Sequence, residues 1–568
     1  MSVHRRVLLL VATLLVLVAA ACTQDTEDPP RSGDDEEGAP ADLACDPEVD
    51  EALRAWAEAG FSGTVALSTG GRLDCEAAYG QADQEEGRPN TLDTVFAIGS
   101  VSKAFAAAAV LDLVAAGELT LDDRAGDLLP TLGGPAADAT VGQLLLHTSG
   151  LTGEIGADRE PLSEEEAITA LGGLEQAAEP GTEFLYSNAG YALLALIVQE
   201  VSGTPYRDHI RADVLTVDGD VLGGFWDGDP AAAGPRAVGY DDAGDRIELD
   251  DFAGPYWATA GNGDLAMTTT ELARWTHALF AGEVIAPEAV ELLETTAFDE
   301  GDGREEVPGW VRFDAEQLGE PAYAVAGGGG DLGHEAVTAW LPESERVVSI
   351  STNTADVLAE DLLAELAPAL IAGDPLPVPD EAAEADPDEV AAAEGTYELD
   401  GGDHLVVTAT DDGLAIAAEG AAATAALFPP ADEADAAARA DHEELVRALL
   451  AGETRTGEEE VAALEEDLGP IESVEIVGTI DTGELRTYAR LEAGGEEALV
   501  WYAVDDRGGI AAVEITDDPP TLVVVPAGSG TYRPADPTGS GPEVVVGVGD
   551  DQITVTGPDG AVTARRAG

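Results

Sequence analysis

A serine and a lysine three residues apart are the side chains of this sequence best suited to chemistry. Lys103 is the only lysine, and every other basic residue among the 26 is arginine. An arginine does not lose its proton in a protein, whereas a buried lysine can act as a neutral amine. Ser100 precedes Lys103 at the spacing of a serine nucleophile activated by a lysine. The pair therefore predicts acyl transfer through a covalent serine intermediate.

The residues that follow predict the helix that positions this pair. Residues 104–116 are rich in Ala, Leu and Val and lack a polar face before Glu118, which is typical of a buried helix. At the start of such a helix, Ser100 and Lys103 would lie on one face with their side chains in reach of each other. The positive end of the helix dipole would also face the serine.

The surrounding pattern predicts an α+β domain. An amphipathic helix is expected at the start, followed by a hairpin, a mainly helical region, two further strands and a last helix. A sheet divided between the two ends of the sequence, with helices between, defines this fold class with a helical subdomain. The expected elements lie at residues 46–60, 61–68, 72–79, 140–300, 336–341, 346–352 and 355–371.

Further motifs accompany Ser100 and Lys103 in the order found in one superfamily. Tyr186-Ser187-Asn188 precedes an apolar helix, residues 147–151 read His-Thr-Ser-Gly-Leu, and a glycine run occupies 327–330. Together with residues 96–103 and 260–265, these motifs resemble the serine β-lactamase and penicillin-binding superfamily. The most similar branch holds class C β-lactamases, D-alanyl-D-alanine carboxypeptidases and family VIII esterases. The resemblance spans residues 61–371 and implies a β-lactamase/transpeptidase-like domain with an antiparallel sheet flanked by helices.

The resemblance implies a role for each motif residue. Ser100 attacks an acyl carbonyl, while Lys103 and Tyr186 share the general-base work. In one form of this mechanism Tyr186 is a phenolate beside the Lys103 ammonium. Asn188 would hold the substrate amide or the lysine ammonium. Backbone N–H groups of Ser100 and of a residue just past the glycine run would form the oxyanion hole. The substrate-binding glycines would be Gly328, Gly329 and Gly330.

The sequence departs from the family at the strand beside the nucleophile. A Lys- or His-led triad usually stands there and binds the carboxylate of a β-lactam or of a D-alanyl terminus, but here Ala326 precedes the glycines. This departure weakens both of those substrate assignments. His334 would either replace the family's usual aromatic residue or supply a substitute cation, and His147 is expected to hold its loop.

The N-terminus predicts export. Arg5 and Arg6 precede an apolar stretch over residues 7–21, which is short for a transmembrane span and matches a signal peptide over 1–21. Cys22 then resembles the lipidated cysteine of a bacterial lipobox, with residues 22–44 as a disordered tether. The alternative is ordinary cleavage with Cys22 incidental. The predicted location is extracytoplasmic, as a membrane-anchored lipoprotein.

Composition limits the partners and cofactors. A net charge of −87 over 568 residues disfavours nucleic acid and anionic membrane surfaces, so membrane contact would come only through the lipid anchor. The scattered histidines predict no metal. No cofactor is expected. In an oxidising compartment Cys45 and Cys75 would form a disulfide, and two separate buried thiols are the alternative.

The rest of the chain predicts an accessory region. The hydrolase domain is expected over 45–372, followed by a linker at 373–390 and a C-terminal β-rich region at 391–568. Gly-Thr-Tyr recurs at 395–397 and 530–532, which suggests one β-domain interrupted by an α+β insert at 431–518.

Three functions fit these patterns. The first is a serine hydrolase of a small ester or amide. The second is a D-alanyl-D-alanine carboxypeptidase or β-lactamase acting on peptidoglycan-derived or β-lactam substrates. The third is a non-catalytic binding protein on the same scaffold. The sequence does not specify the oligomeric state.

Overall fold

The computed structural model describes the chain from residue 45 onward. Strands of four or more residues and helices of seven or more are numbered here in chain order. The described part is continuous except at residues 242–243, 250–251, 302, 316–318, 329–331, 356, 380–382, 384, 411, 432, 483–484, 505–508, 517, 529, 540, 550, 559 and 568. None of the helices within this part is long and apolar enough to cross a membrane.

The first helix, α1 (Pro47–Glu58), starts at an Asp46 cap whose carboxylate accepts the Glu48 N–H. Its apolar face buries Leu53 and Trp56 against the sheet. A disulfide joins Cys45, just before this helix, to Cys75 on the second strand.

Eight strands among the described residues form the central antiparallel sheet, in the order β3-β4-β5-β6-β7-β8-β1-β2. The first two strands pair as the expected hairpin, and β1 also pairs with β8, with Val65 opposite Ile350. The sheet therefore unites the two ends of the domain, as the pattern predicted. Its strands are β1 (Gly63–Thr69), β2 (Arg72–Tyr79), β3 (Phe298–Gly301), β4 (Arg304–Val307), β5 (Trp310–Phe313), β6 (Ala322–Gly328), β7 (Glu335–Leu341) and β8 (Arg346–Thr352).

Strands β3, β4 and β5 were not among the elements expected from the sequence. β3 and β4 carry acidic residues at several positions and alternate weakly, so their sequence resembles a polar loop. Pairing with β5 holds them in the sheet. The last helix of the domain also begins later than expected, at Ala359 instead of residue 355.

Helices cover the sheet and build the subdomain that faces it. α2 is buried on almost every side, as its Ala- and Leu-rich sequence indicates. α4 is likewise apolar, and it packs against α2. The helices are α2 (Ser102–Ala115), α3 (Glu164–Leu171), α4 (Asn188–Ser202), α5 (Thr269–Phe280), α6 (Pro287–Thr295) and α7 (Ala359–Ala372), with shorter helical turns at Ala125–Leu128, Pro135–Asp138, Val141–Leu145, Tyr206–His209 and Ile210–Val214. Two-stranded or three-stranded pairings of short strands complete the subdomain.

The C-terminal region contains a closed barrel, with an inserted unit of two helices and a four-stranded sheet. The barrel strand Thr521–Gly528 directly follows the insert and pairs with Leu414–Glu419, so the barrel resumes before the second Gly-Thr-Tyr. The barrel strands in the described part are β9 (Gly395–Glu398), β10 (His404–Ala409), β11 (Leu414–Glu419), β16 (Thr521–Gly528), β17 (Thr531–Pro534), β18 (Val545–Val548), β19 (Gln552–Gly557) and β20 (Gly560–Arg566). The remaining elements are α8 (Pro387–Ala393), α9 (Ala421–Leu427), α10 (Glu433–Leu450), α11 (Arg455–Leu468), β12 (Ile471–Asp481), β13 (Leu485–Ala493), β14 (Glu496–Val504) and β15 (Ile510–Thr516).

Candidate active site

Ser100 lies in a tight turn that leads into α2. Gly99 adopts a φ of 48°, and a Cβ there would collide with the carbonyl oxygen of Gly328 at the end of β6. A Cβ on Gly327 would likewise collide with the backbone N of Ser100. Glycine at these positions therefore lets the strand approach the nucleophile turn directly. The close approach brings the end of β6 beside the serine, where an acyl carbonyl would have to lie.

Lys103 lies one turn into the same helical segment and is 3% exposed. Its Nζ donates to Ser100 Oγ at 2.9 Å, to Asn188 Oδ1 at 2.8 Å and to the main-chain oxygen of Asn262 at 3.2 Å. Burial lowers the pKa of Lys103 from 10.5 to about 7. A substantial fraction of the amine is therefore neutral near pH 7 and can accept the serine proton directly.

Tyr186 approaches the serine from the helical subdomain. Its hydroxyl lies 2.7 Å from Ser100 Oγ. Burial raises the pKa of Tyr186 above 10, and the hydrogen bond with Ser100 opposes this rise. The tyrosine therefore remains a phenol at neutral pH, and the two pKa shifts favour Lys103 over a Tyr186 phenolate as the base. A phenol in this position can pass a proton between Ser100 Oγ and a leaving group.

His147 supports Tyr186 instead of titrating beside it. The two rings stack with centroids 4.6 Å apart, and His147 Nδ1 accepts the Ser187 N–H at 3.0 Å. Burial lowers the pKa of His147 to about 3, so the imidazole stays neutral across the physiological range. These contacts agree with the expected role of holding a loop.

Asn188 begins α4, where the Ser187 side chain caps the helix by accepting the Gly190 N–H at 3.1 Å. The cap directs Asn188 toward the lysine amine that its side chain contacts. The main-chain oxygen of Asn262 is a further partner of this amine that the side-chain motifs did not indicate. The only signal for it was the family-like loop at residues 260–265.

Two cavities meet at Ser100. The narrow cavity has a volume of about 180 Å³ and includes Asn188, Trp226, Tyr256 and Gly328 in its lining. The wide cavity, of about 480 Å³, is largely apolar and includes Lys103, Tyr186 and Trp310. Ala326 also lines the wide cavity, so the position where the family carries a basic residue contributes only a methyl group.

His334 does not replace that basic residue. It is 4% exposed, its Nδ1 accepts the Ala97 N–H at 3.0 Å, and its ring lies edge-on to Trp226. Burial lowers its pKa to about 3. The alternative of His334 as a substitute cation is therefore wrong, because an enclosed, neutral imidazole carries no charge to offer a carboxylate.

The structure brings together Ser100, Lys103, Tyr186 and Asn188 and places Gly328 beside them. Gly329, Gly330 and Cys22 lie outside the described residues. In the described part of the chain, no group of three or more His, Cys, Asp or Glu side chains is arranged to hold a metal ion.

The family model described as Beta-lactamase matches residues 50–372. The chain belongs to the beta-lactamase family. This beta-lactamase-family chain is accordingly a serine hydrolase. The matched residues include all the strands of the central sheet and the helical subdomain.

Relatives of this beta-lactamase-family protein carry different activities in their names. Penicillin-binding protein 4 of Amycolatopsis lactamdurans is 31% identical over 371 residues, covering 58% of this chain and 90% of that protein. Esterase EstB of Burkholderia gladioli is 34% identical over 188 residues, covering 29% of this chain and 47% of the esterase. The octameric penicillin-binding protein homologue from Pyrococcus abyssi has a similar fold, with a TM-score of 0.52 at 19% identity over 91% of this chain and 99% of that chain. That likeness in fold extends beyond the hydrolase domain into the C-terminal region.

Proposed function

We propose that this protein is an exported, lipid-anchored serine hydrolase that cleaves a small ester or amide through an acyl-Ser100 intermediate. One observation carries the proposal. Ser100 Oγ lies 2.9 Å from the amine of Lys103, whose pKa burial lowers to about 7, and 2.7 Å from the hydroxyl of Tyr186. A serine hydroxyl needs a base within hydrogen-bond reach, and this site provides one.

The reaction follows from these contacts. Neutral Lys103 takes the Ser100 proton while Oγ attacks the carbonyl carbon, and the carbonyl π electrons move to oxygen. The backbone N–H of Ser100 is one expected donor to that oxyanion, beside the end of β6. Collapse breaks the bond to the leaving group, which takes the proton held by the Lys103 ammonium. Water then attacks the acyl-serine with the same groups acting in reverse order.

The lining of the wide cavity supports a substrate without a carboxylate near the scissile bond. Ala326 occupies the place of the family's carboxylate-binding cation, and His334 is buried and neutral. A neutral ester or amide needs no cation at this position.

A second candidate is a D-alanyl-D-alanine carboxypeptidase or β-lactamase of the cell envelope. The similarity to penicillin-binding protein 4 over 90% of that relative favours it. The predicted location beside the cell wall fits as well. Recognition of the substrate carboxylate would then have to come from a cation elsewhere in the site.

Covalent labelling distinguishes the two candidates. The soluble chain beginning at Thr23 is incubated with benzylpenicillin and, separately, with p-nitrophenyl butyrate, and intact mass and peptide mapping locate any adduct. We expect turnover of the ester and no stable β-lactam adduct. A benzylpenicillin adduct on Ser100 would support the penicillin-binding alternative. Absence of reaction with either reagent would contradict both candidate functions. Ser100→Ala is the matched control and should react with neither reagent.

The proposed location rests on the N-terminal residues. The basic pair Arg5-Arg6, the apolar stretch and Cys22 support export followed by lipidation. In cells, the full chain should partition with membranes and carry an acylated N-terminus by mass spectrometry. A Cys22→Ala variant should appear in the soluble or secreted fraction, and an unchanged membrane association would contradict lipidation at this cysteine.

A further inference from the structure

We propose that the wide cavity beside Ser100 binds a substrate group that carries an amine cation, with Glu306 and Glu300 as its carboxyl partners. This inference rests on the proposed serine hydrolase function and specifies the class of substrate. It concerns residues of β3 and β4, which the motifs of the sequence did not identify as part of the site.

The two glutamates make little contact with other polar side chains. Glu306 is 5% exposed, lines the wide cavity, and makes no side-chain hydrogen bond or ion pair with any residue in the described part of the chain. Glu300 lines the same cavity, and its Oε1 is buried without a partner there. Its other oxygen lies 3.9 Å from Arg304, whose own side chain is 48% exposed. Among the described residues, three acidic side chains thus line the cavity beside the nucleophile, these two and Glu360, and the basic side chains of the same lining are Lys103 and Arg304.

Such an arrangement is costly without a ligand. An unpaired carboxylate in an apolar cavity loses its hydration without gaining a charge partner in return. Burial raises the pKa of Glu306 from 4.5 to about 8, so this group holds a proton near neutral pH when the cavity is empty. A ligand ammonium would restore the missing charge partner and favour the carboxylate.

The remaining walls suit the same ligand. Aromatic rings of Phe184, Trp310 and Phe313 line the cavity, and ring faces attract ammonium groups. The Trp310 ring N–H is buried and has no acceptor among the residues that the structure describes. A substrate that carries an ammonium and a nearby oxygen would satisfy both the carboxyl groups and this donor. Ala326 and neutral His334 leave no competing cation at the family's anion-binding position.

Choline and 3,3-dimethyl-1-butanol form a matched test pair, because they share shape and hydroxyl and differ in charge. Each is measured as a competitive inhibitor of p-nitrophenyl butyrate hydrolysis at about pH 8.5, where Glu306 is mostly ionised and Lys103 mostly neutral. We expect choline to inhibit at least ~10-fold more strongly than the alcohol. Glu306→Gln should reduce that preference at least ~5-fold. Glu305→Gln, on the opposite face of the same strand, is the control and should retain it.

Equal inhibition by the two compounds, or a preference that survives in Glu306→Gln, would overturn the inference. Its failure can be separated from failure of the proposed function, because binding needs no turnover. If the ester is not hydrolysed at all, calorimetric titration of the full soluble chain with choline decides instead. Stoichiometric binding that Glu306→Gln abolishes would support the cation site, and absence of binding would overturn it.

Discussion

The amine of Lys103 lies 2.9 Å from the hydroxyl oxygen of Ser100, in a pocket that leaves only 3% of the lysine exposed. Proximity alone would not make this lysine a base, because an exposed amine is protonated at neutral pH. Burial in the apolar interior supplies the second requirement by lowering its pKa to about 7. The same helical turn therefore brings Lys103 next to Ser100, and the surrounding core lowers the pKa of the lysine.

Replacing Lys103 by arginine should remove catalysis while retaining the positive charge. We expect kcat/KM for p-nitrophenyl butyrate to fall about 10²–10⁴-fold, because a guanidinium cannot accept the Ser100 proton. Circular dichroism and thermal melting would verify that the variant folds. Activity close to that of the parent chain would exclude Lys103 as the base.

The pH profile should report the same lysine. With a pKa of about 7, Lys103 becomes neutral as pH rises, so kcat/KM should increase through pH 7 and level off above it. Tyr186→Phe should lower the rate but leave this midpoint nearly unchanged, because the pKa of Tyr186 is raised above 10. A midpoint near 10 that disappears in Tyr186→Phe would instead identify a tyrosinate base. Initial rates measured at saturating and low ester concentrations separate kcat from kcat/KM.

His147 should behave as a positioning residue. His147→Ala leaves the buried Ser187 N–H without its acceptor and removes the ring under Tyr186, so the free energy of unfolding should fall by about 1–3 kcal/mol and kcat should decrease. The midpoint of the pH profile should not move, because the imidazole is already neutral. His147→Gln, which restores an acceptor, should recover part of the loss. A shifted midpoint in either variant would assign His147 a proton-transfer role.

Glu306 should impose a pH dependence on stability. Its pKa is about 8 in the folded chain and about 4.5 when unfolded, so the folded state holds the extra proton between these values and stability declines as pH rises through them. Glu306→Gln should match the parent near pH 4.5 and exceed it by at least ~1 kcal/mol above pH 8. Denaturant unfolding at a series of pH values tests this. A constant difference between variant and parent across that range would contradict the shifted pKa.

The disulfide between Cys45 and Cys75 should stabilise the start of the hydrolase domain. It closes a loop with a sequence separation of 30, for which chain entropy gives about 3–4 kcal/mol. Thermal melting of the chain from Thr23 with and without reductant measures the effect, and that chain has no other cysteine. The Cys45→Ser, Cys75→Ser double variant should have the same melting temperature as the parent chain in reductant. Adding reductant should no longer change that temperature. An unaffected melting temperature would mean that the cross-link adds nothing to the folded state.

Much of the candidate catalytic centre could be predicted from the spacing of nearby residues in the sequence. Ser100 and Lys103 are three residues apart in a segment whose apolar composition favours a buried helix, so their proximity follows from helix geometry. Tyr186 precedes another apolar helix, which begins at Asn188 with Ser187 as its cap, again a local signal. The divided sheet was predictable as well, because β1, β2, β7 and β8 have clear strand patterns.

Other parts of the site depend on contacts between distant segments. The main-chain oxygen of Asn262 reaches Lys103 only because a loop folds over α2, and a carbonyl has no sequence signature. β3 and β4 are polar enough to resemble a loop, and only pairing with β5 brings Glu300 and Glu306 to the wide cavity. In the sequence, His334 could serve as a substitute cation. In the folded chain it is enclosed, and burial lowers its pKa to about 3.

The sequence by itself indicated the fold class, the candidate nucleophile and two candidate bases, because helix periodicity and strand alternation are properties of neighbouring residues. The tertiary structure alone decided which groups are desolvated, and therefore the protonation states of Lys103, His334 and Glu306. Desolvation depends on everything that packs around a group, and most of that packing comes from residues far away along the chain.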